Sequence, residues 1–334
     1  MKKGIYAIMT LLFIFLTTGC FDNKNKDIVS KLTKKIENCN SYHVTGKLEI
    51  ISNDDKHAYD IDVSYQSDDN FRVSLKNQIN NHEQIILKNS ESVYVLTPSL
   101  RKSFKFQSEW PYNNSQSYLL QTVLKDIKND NTKKVETKSS GYIITTTVNY
   151  SNNKNLVKQK IYVDKNANIT KVEVLDKQNN IKMKMTYKKI DMKAKFKKEY
   201  FDLDENMNYT SDEKTTKETI KEIDDVIYPM YMPENTYLES QDTVSLDDGE
   251  RVILNFAGDS PFMLVQETVK VDDNYVTVPV YGDPEILGGA VGSLSSNSAN
   301  WIIDGVEYYA VSDTLDNEEL MQVVNSINVI PVGK

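Results

Sequence analysis

The sequence predicts a mainly β protein in two parts: a strongly curved antiparallel sheet with helices covering its open side, followed by a small α+β domain. Between residues 42 and 187, about ten short segments alternate apolar and polar residues with the period of two that half-buried strands have. Helical spacing occurs only before these segments and once between them. The charge balance then changes sign near residue 205, which indicates a second domain.

The chain begins with a pattern typical of a lipoprotein signal. Lys2 and Lys3 form a positively charged start, a twelve-residue apolar run extends from Ile5 to Leu16, and the small residue Gly19 immediately precedes Cys20. The run is shorter than the roughly 20 residues that cross a hydrocarbon core of about 30 Å. It therefore favours a cleaved signal over a permanent membrane span.

Cleavage before Cys20 would make this cysteine the acylated first residue of the mature chain. We therefore predict a signal peptide at 1–19 and a lipid anchor, a diacylglyceryl-modified cysteine, at Cys20. Thr17 departs from the usual motif, which has leucine three residues before the cysteine. The alternative is an ordinary signal peptide in which Cys20 has no role. Since no second apolar stretch of the sequence approaches eighteen residues, lipid is the only anchor that it predicts.

The charge balance divides the rest of the chain into two. Residues 21–205, the basic half, contain 32 Lys and Arg against 24 Asp and Glu, a net charge of +8. Residues 206–334, the acidic half, contain 6 against 24, a net charge of −18. Such a break is typical of a domain boundary. We predict a tether at 20–26, a first domain at 27–205, a linker at 206–226 and an acidic domain at 227–334.

The tether would keep the basic half close to the membrane, because six extended residues reach about 20 Å at most. Its lysines could contact an anionic membrane surface or wall polymer. Alternatively they are a solvated surface, since 37 of the 40 basic residues are Lys. Nucleic acid is not expected as a partner, because the compartment is wrong and the sequence has no recognition module.

The first domain opens with a helical pattern from Asp27 to Asn38, and Asp27 is placed to cap that helix. A second helix is predicted from Ser117 to Lys128. The predicted strands lie at 42–50, 59–65, 71–75, 83–88, 92–96, 142–150, 157–163, 169–175 and 181–187.

The acidic domain opens with the extended run Tyr228–Pro233 and closes with a helix from about Asn317 to Ser326. Its predicted strands lie near 251–256, 263–269, 276–280, 301–303 and 308–311. The chain has twenty tyrosines and ten phenylalanines, many of them on the predicted strand faces. They are either core residues or the lining of a cavity that could bind an apolar ligand.

No motif in the sequence points to catalysis. His43, His57 and His82 lack the spacings of metal sites and are interpreted as surface or edge residues. No serine lies in a G-x-S-x-G motif. We therefore expect no catalytic residue, no metal and no cofactor, which means that the protein is not an enzyme.

Three other features have simple structural explanations. Residues 164–175 begin like a calcium loop, but Ile169 stands where glycine is required and Leu175 where glutamate is required. The run Gly288–Ser293 lacks the lysine and the strand-loop-helix context of a phosphate loop. Residues 164–168 are predicted to be a turn between two strands, and the run 288–293 is predicted to be a flexible turn. Cys39 follows the first helical pattern and is predicted to be a buried thiol, with an intermolecular disulfide as the alternative.

Several strand segments of the basic half match a known family. They are Phe71–Leu75, Glu83–Lys88, Ser92–Pro98, Ile161–Asp164 and Thr170–Val174. These segments resemble the LolA/LolB/RseB family of lipoprotein carriers over about residues 27–205. The resemblance implies an unclosed antiparallel β-barrel with a helical lid and an apolar cavity, which agrees with the strand pattern.

The acidic half adds a more specific match. Its segments are Tyr228–Pro233, Arg251–Leu254, Ser260–Glu267, Asp304–Tyr308 and Glu318–Leu320. They are similar to a small domain that follows LolA-like modules in sporulation and germination lipoproteins of spore-forming Firmicutes. In the clostridial group, the resemblance implies a role in spore germination. It also implies a protein partner, a cortex-modifying N-acetylmuramoyl-L-alanine amidase that the lipoprotein binds.

Three hypotheses follow for the function. The first is a membrane-anchored, non-enzymatic binding protein of sporulation or germination, on the extracytoplasmic face of the cell membrane or between the forespore membranes. The second is a carrier of lipid or lipoprotein acyl chains that uses the cavity. The third is an envelope-stress sensor like RseB. Carrier activity is not transferred from the family, because these cells lack an outer membrane to receive cargo.

Replacing Cys20 with Ala removes the predicted acylation site. We expect the Cys20→Ala chain to lose incorporation of an alkyne-tagged fatty acid, measured by in-gel fluorescence, and to leave the membrane fraction. The control is Cys39→Ala, which should keep both properties. Undiminished labelling of Cys20→Ala would show that this cysteine is not the lipid anchor.

Overall fold

The computed structural model describes residues 19–52, 55–208 and 220–327. Within these ranges the chain forms a twelve-stranded sheet, a seven-stranded sheet and four α-helices. The predicted signal peptide, apart from Gly19, lies outside the described residues, and so does most of the predicted linker, at 209–219.

The first sheet is an antiparallel meander that does not close. Eleven of its strands come from the basic half: β1 (Ser41–Ser52), β2 (Asp55–Gln66), β3 (Asn70–Asn77), β4 (Glu83–Lys88), β5 (Val93–Thr97), β6 (Lys102–Phe106), β7 (Lys134–Lys138), β8 (Gly141–Thr147), β9 (Leu156–Asp164), β10 (Ile169–Asp176) and β11 (Ile181–Asp191). Their order is β6-β5-β4-β3-β2-β1-β11-β10-β9-β8-β7. The pairing of β1 with β11 joins two runs of consecutive strands. The mainly β, unclosed architecture predicted from the sequence is confirmed.

Two helices cover one face of this sheet, called here the core face. Helix α1 (Gly19–Glu37) and helix α2 (Leu120–Asn129) bury apolar side chains in the same core as Tyr42 and Val44 of β1. Tyr42 also donates a hydrogen bond to Gln121 at 2.6 Å. On the opposite face, Phe201 and helix α3 (Leu203–Met207) cover β4 and β5.

Helix α1 is longer than the sequence predicts. It begins at Gly19 and not at Asp27, so Asp27 is not its cap. The Asp27 carboxylate instead lies 2.7 Å from the Lys31 ammonium, one turn further on. Residues 21–26 contain neither Gly nor Pro, so nothing in the tether interrupts a helix. The tether is therefore helical and rises about 1.5 Å per residue, less than half the extended value.

The second sheet belongs to the acidic half. Its strands are β12 (Thr236–Leu246), β13 (Gly249–Gly258), β14 (Phe262–Thr268), β16 (Asp283–Leu287), β17 (Ala290–Leu294), β18 (Ser298–Ile303) and β19 (Val306–Val311). Their order is β12-β13-β14-β19-β18-β17-β16. Helix α4 (Asn317–Asn325) is capped by Asp316, whose side chain accepts the Glu319 N–H. The helix buries Leu320 against this sheet.

One strand of the acidic half joins the first sheet. The predicted strand at 276–280 forms as β15 (Val276–Val280), and it pairs in parallel with β6, from Val276 opposite Lys102 to Val280 opposite Phe106. The hydroxyls of Ser103 and Thr277 lie 2.8 Å apart across this pairing. The twelfth strand of the first sheet is therefore supplied by residues about 170 positions further along the chain.

The β16–β17 hairpin, the segment Asp283–Leu294, packs on the core face of the first sheet. Its turn depends on Gly288 and Gly289, which have φ values of +55° and +92°. Tyr59 of β2 donates a hydrogen bond to the Gly289 carbonyl at 2.8 Å. The Gln84 amide, only 3% exposed, donates to the Val291 carbonyl at 2.9 Å and accepts the Val291 N–H at 2.6 Å. A single side chain therefore satisfies both backbone groups of Val291.

Replacing Gln84 with Leu leaves both backbone groups of Val291 buried without these partners. We expect the free energy of unfolding to fall by about 1–3 kcal/mol, because an unsatisfied buried polar group costs that amount. Urea unfolding followed by tryptophan fluorescence measures the change. The control is Gln107→Leu at an exposed position. Equal stability of the two variants would mean that the Gln84 contact does not hold the hairpin.

Candidate functional site

A cavity of about 440 Å³ lies between the two halves. Its floor is the core face of the first sheet, where it is lined by Leu48, Ile50, His57, Ile86 and Met183. The loops at 116–118 and 150–156 form one wall. The acidic half supplies the roof, which is lined by Tyr231, Glu285, Ile286, Gly289, Val291, Glu318, Met321, Gln322 and Asn325.

The lining is both polar and apolar, although the family resemblance implies an apolar cavity. Carboxamides are the most frequent polar groups, and they belong to Gln116, Asn152, Asn153, Asn155, Gln322 and Asn325. Three tyrosines line the cavity as well: Tyr118, Tyr150 and Tyr231. The floor keeps the apolar character of a sheet core, and the loops and α4 add the polar groups.

Glu285 is the carboxyl group that this cavity changes most. It follows Pro284 on β16, and its Oε1 accepts hydrogen bonds from Asn114 at 3.2 Å and Asn152 at 3.1 Å. Burial raises the pKa of Glu285 to about 7, and the nearby Asp283 adds to this rise. The Asn152 hydrogen bond acts in the opposite direction, but burial has the larger effect.

A second carboxyl group lies behind the cavity wall. Asp126 on α2 accepts hydrogen bonds from the Ser115 hydroxyl and the Gln159 amide, both at 2.9 Å. Burial raises its pKa to about 6. Burial also raises the pKa of Tyr150 well above its usual range, and the Asp126 charge adds to that effect. The cavity wall therefore favours neutral side chains.

The residues singled out from the sequence are spread through the fold. Cys20 lies in the first turn of α1. Cys39 is a buried free thiol whose Sγ lies 2.9 Å from the Ser41 carbonyl oxygen. His43 Nε2 lies 2.7 Å from the Asp62 carboxylate, whereas His57, predicted to be at a surface or edge, lines the cavity. The contact of His57 with the Gly289 turn has no signal in the local sequence.

The predicted turn at 164–168 forms, whereas the turn predicted over 288–293 is shorter, because β17 begins at Ala290. Asp164 accepts the backbone N–H groups of Asn166 and Asn168, both at 2.8 Å, between β9 and β10. The Gly288–Gly289 pair is the turn between β16 and β17. Over the described ranges, no group of three or more His, Cys, Asp and Glu side chains is arranged to hold a metal ion.

The outer edge of the second sheet has an exposed apolar and acidic surface, named here the β12 surface. Among the described residues, β12 pairs only with β13. Tyr237 is 59% exposed and Val244 is 43% exposed, and Leu238 lies between them in the same strand. The exposed carboxylates of Glu239 and Asp242 lie on β12 as well. None of the helices in the described ranges is long and apolar enough to cross a membrane.

The raised pKa of Glu285 predicts a pH dependence of stability. The folded state holds this proton up to about pH 7, whereas the unfolded chain releases it near pH 4.5. The free energy of unfolding should therefore fall as the pH rises between these values, by up to about 3 kcal/mol. Glu285→Gln cannot ionise and should lose this contribution.

Urea unfolding at about pH 5 and about pH 8 measures the effect. The control is Glu234→Gln at an exposed position, which should keep the wild-type dependence. Asp126 gives a similar fall of the free energy of unfolding with pH in the wild type and in both variants. The difference between the chains therefore measures the contribution of Glu285. If the free energy of unfolding of Glu285→Gln changed with pH as it does in the wild type, the raised pKa of Glu285 would be contradicted.

Solved structures show distant likenesses to this chain at low sequence identity. The crystal structure of MucB is 12% identical, with a TM-score of 0.35, and the match covers 92% of this chain and 98% of that one. A LolA superfamily protein from Nitrosomonas europaea is 12% identical, with a TM-score of 0.30. The match covers 53% of this chain and 96% of that protein. A chain of the complex between the CwlD amidase of Clostridioides difficile and the GerS lipoprotein is 21% identical, with a TM-score of 0.31. The match covers 49% of this chain and 92% of that one. All three likenesses are distant.

Two sequence comparisons give the family. A family model described as "Sporulation protein YdcC-like" matches residues 2–201. The Sporulation protein YdcC of Bacillus subtilis (strain 168) is 32% identical over 328 residues, which cover 98% of this chain and 97% of that protein. By both comparisons, the chain belongs to the YdcC-like sporulation protein family.

Proposed function

We propose that this protein is a membrane-anchored, non-enzymatic lipoprotein of sporulation and spore germination that binds a partner protein. The observation that carries the proposal is the 32% identity to a sporulation protein over 98% of the chain. The predicted acylation of Cys20 supplies the attachment to the membrane. The protein would lie on the extracytoplasmic face, in the cell membrane or between the forespore membranes.

The N-terminal helix connects the proposed anchor to the core. Cys20 lies in the first turn of α1, and Ile28, Leu32 and Ile36 of the same helix are buried in the core of the first sheet. From Cys20 to Ile28 a helix rises about 12 Å. The basic half would therefore lie next to the lipid, which supports a role for its lysines at an anionic surface.

The β12 surface is the best place in the fold for a protein partner. An unpaired strand edge offers backbone N–H and C=O groups to a strand of another chain. Tyr237, Leu238 and Val244 supply apolar area beside that edge. Glu239 and Asp242 favour a partner strand that carries Lys or Arg, because opposite charges across an interface speed and orient association. The proposed partner therefore presents a basic strand.

A cortex-modifying N-acetylmuramoyl-L-alanine amidase is the partner to test first. It follows from the sequence resemblance to germination lipoproteins, which includes Tyr228–Pro233 immediately before β12. The carrier alternative has less support. An acyl chain in the cavity would face six carboxamide side chains, and those of Gln116, Asn155 and Gln322 would lose contact with water without gaining a hydrogen bond.

Reversing two charges on the β12 surface tests the proposal. We expect the full chain to bind a purified cortex amidase from the same cells, and Glu239→Lys with Asp242→Lys to weaken the Kd at least about tenfold. Surface plasmon resonance measures the affinity. The control reverses two exposed carboxylates elsewhere in the acidic half, Asp225→Lys with Asp313→Lys.

Two outcomes would count against the proposal, and they are distinct. Equal affinities of the two double variants would exclude the β12 surface as the binding site. No binding by the wild-type chain, together with normal cortex and germination after deletion of the gene, would exclude the amidase partnership and the germination role.

A further inference from the structure

One cavity side chain has a property that the fold alone does not explain. Gln116 is only 9% exposed, and it lines the cavity. Its backbone is fixed, because the Thr122 hydroxyl accepts its N–H at 3.2 Å and lies 2.6 Å from its carbonyl oxygen. Its side-chain amide has no hydrogen-bond partner among residues 19–52, 55–208 and 220–327. Its amide atoms are accessible from the cavity, so they can hydrogen-bond a ligand there.

Other amides of the cavity also keep hydrogen-bonding capacity. The side chains of Asn155 and Gln322 have no partner within the described ranges, and Asn153 uses only its Oδ1, which accepts the Asn155 N–H at 3.2 Å. Each carboxamide offers two N–H donors and one acceptor oxygen. Sugar hydroxyls and acetamido groups also donate and accept, so they match this set better than a purely donating or accepting ligand does.

The remaining lining suits the apolar parts of a sugar. Tyr118 and Tyr150 line one wall, and aromatic side chains combine an apolar ring with a polar hydroxyl group. Leu48, Ile86 and Met183 form an apolar floor, on which a pyranose C–H face or an acetamido methyl group can lie. The volume of about 440 Å³ is within the range of about 300–1,000 Å³ for small-molecule sites.

Two other ligand classes fit less well. An acyl chain would bury the Gln116 amide without a hydrogen-bond partner, which is unfavourable. A phosphate or other anion would face Glu285 and Glu318, against the single lysine Lys182 among the lining residues. A neutral, amphipathic ligand is therefore favoured.

We propose that the cavity between the two halves binds a short saccharide that carries acetamido groups. Gln116, Asn155 and Gln322 would hydrogen-bond its acetamido and hydroxyl groups, and the tyrosines would contact its ring faces. Such a ligand could be a free fragment or the end of a glycan chain. This site is separate from the β12 surface, so it does not depend on the amidase partnership.

The test uses N,N′-diacetylchitobiose as the probe and the full chain in lipid nanodiscs. We expect isothermal titration calorimetry to give a Kd of about 1 mM or tighter. Gln116→Leu should weaken binding at least about tenfold, because it removes the hydrogen-bond donors and the acceptor of an amide that lines the cavity. Gln322→Ala, at an exposed position of α4, should weaken binding and leave stability unchanged.

The control Gln178→Leu lies in an exposed turn and should bind as the wild type does. Cellobiose, which lacks acetamido groups, should bind at least about tenfold more weakly. Longer N-acetylglucosamine oligomers distinguish the two sources: affinity that is kept as the oligomer lengthens indicates a glycan chain, and affinity that falls indicates a free fragment. No binding of diacetylchitobiose, binding of palmitate alone, or unchanged binding by Gln116→Leu and Gln322→Ala would each overturn the proposal.

Discussion

One buried glutamine and one backbone residue pair across the two halves of this protein, beside the β6–β15 pairing and the Tyr59–Gly289 hydrogen bond. Gln84 on the core face of the first sheet exchanges two hydrogen bonds with Val291, at 2.9 and 2.6 Å. Because Val291 is part of the β16–β17 hairpin, this contact fixes the acidic half against the core face. The Gly289 turn lies against the His57 ring. Glycine suits this position, because a Cβ here would lie 3.0 Å from that ring. The cavity, its roof and the raised pKa of Glu285 all follow from this placement.

The same placement explains why the cavity is not a simple apolar pocket. The floor, which includes Leu48 and Ile86, belongs to a sheet core. The roof comes from an acidic and amide-rich segment, which adds Glu285 and the polar side of α4. Burial in such a place favours the neutral form of a carboxyl group over the charged form. The acidic half is therefore part of the ligand environment as well as a neighbour of the basic half.

Local patterns in the sequence predicted much of the fold. Alternation located β1 to β5 and β8 to β11, and helical spacing located α2 and α4 within a few residues. Strands β6, β7, β12, β16 and β17 were missed, since they are short, charged or interrupted by Gly and Pro. The place of β15 in the first sheet could not be predicted either, because its partner strand lies about 170 residues away.

The site was predictable only in part, for a related reason. The lipid anchor at Cys20 stays a prediction from a local sequence motif. The cavity joins residues from eight separate stretches of the chain, including those of Gln116 and Gln322, and no local pattern relates them. The burial of Gln116 depends on a loop held by Thr122, and that contact is formed only in the folded chain.

The parallel strand β15 also sets the order in which the molecule can be completed. A chain emerges from the ribosome with its N-terminus first, and β6 ends 170 residues before β15 begins. During that interval the outer edge of β6 has no partner, and Val291 is not yet present to meet Gln84. Contacts of such long sequence separation form slowly. An unpaired strand edge can meanwhile pair with another chain. Newly made molecules are therefore exposed to misassembly until about the last sixth of the chain is synthesised.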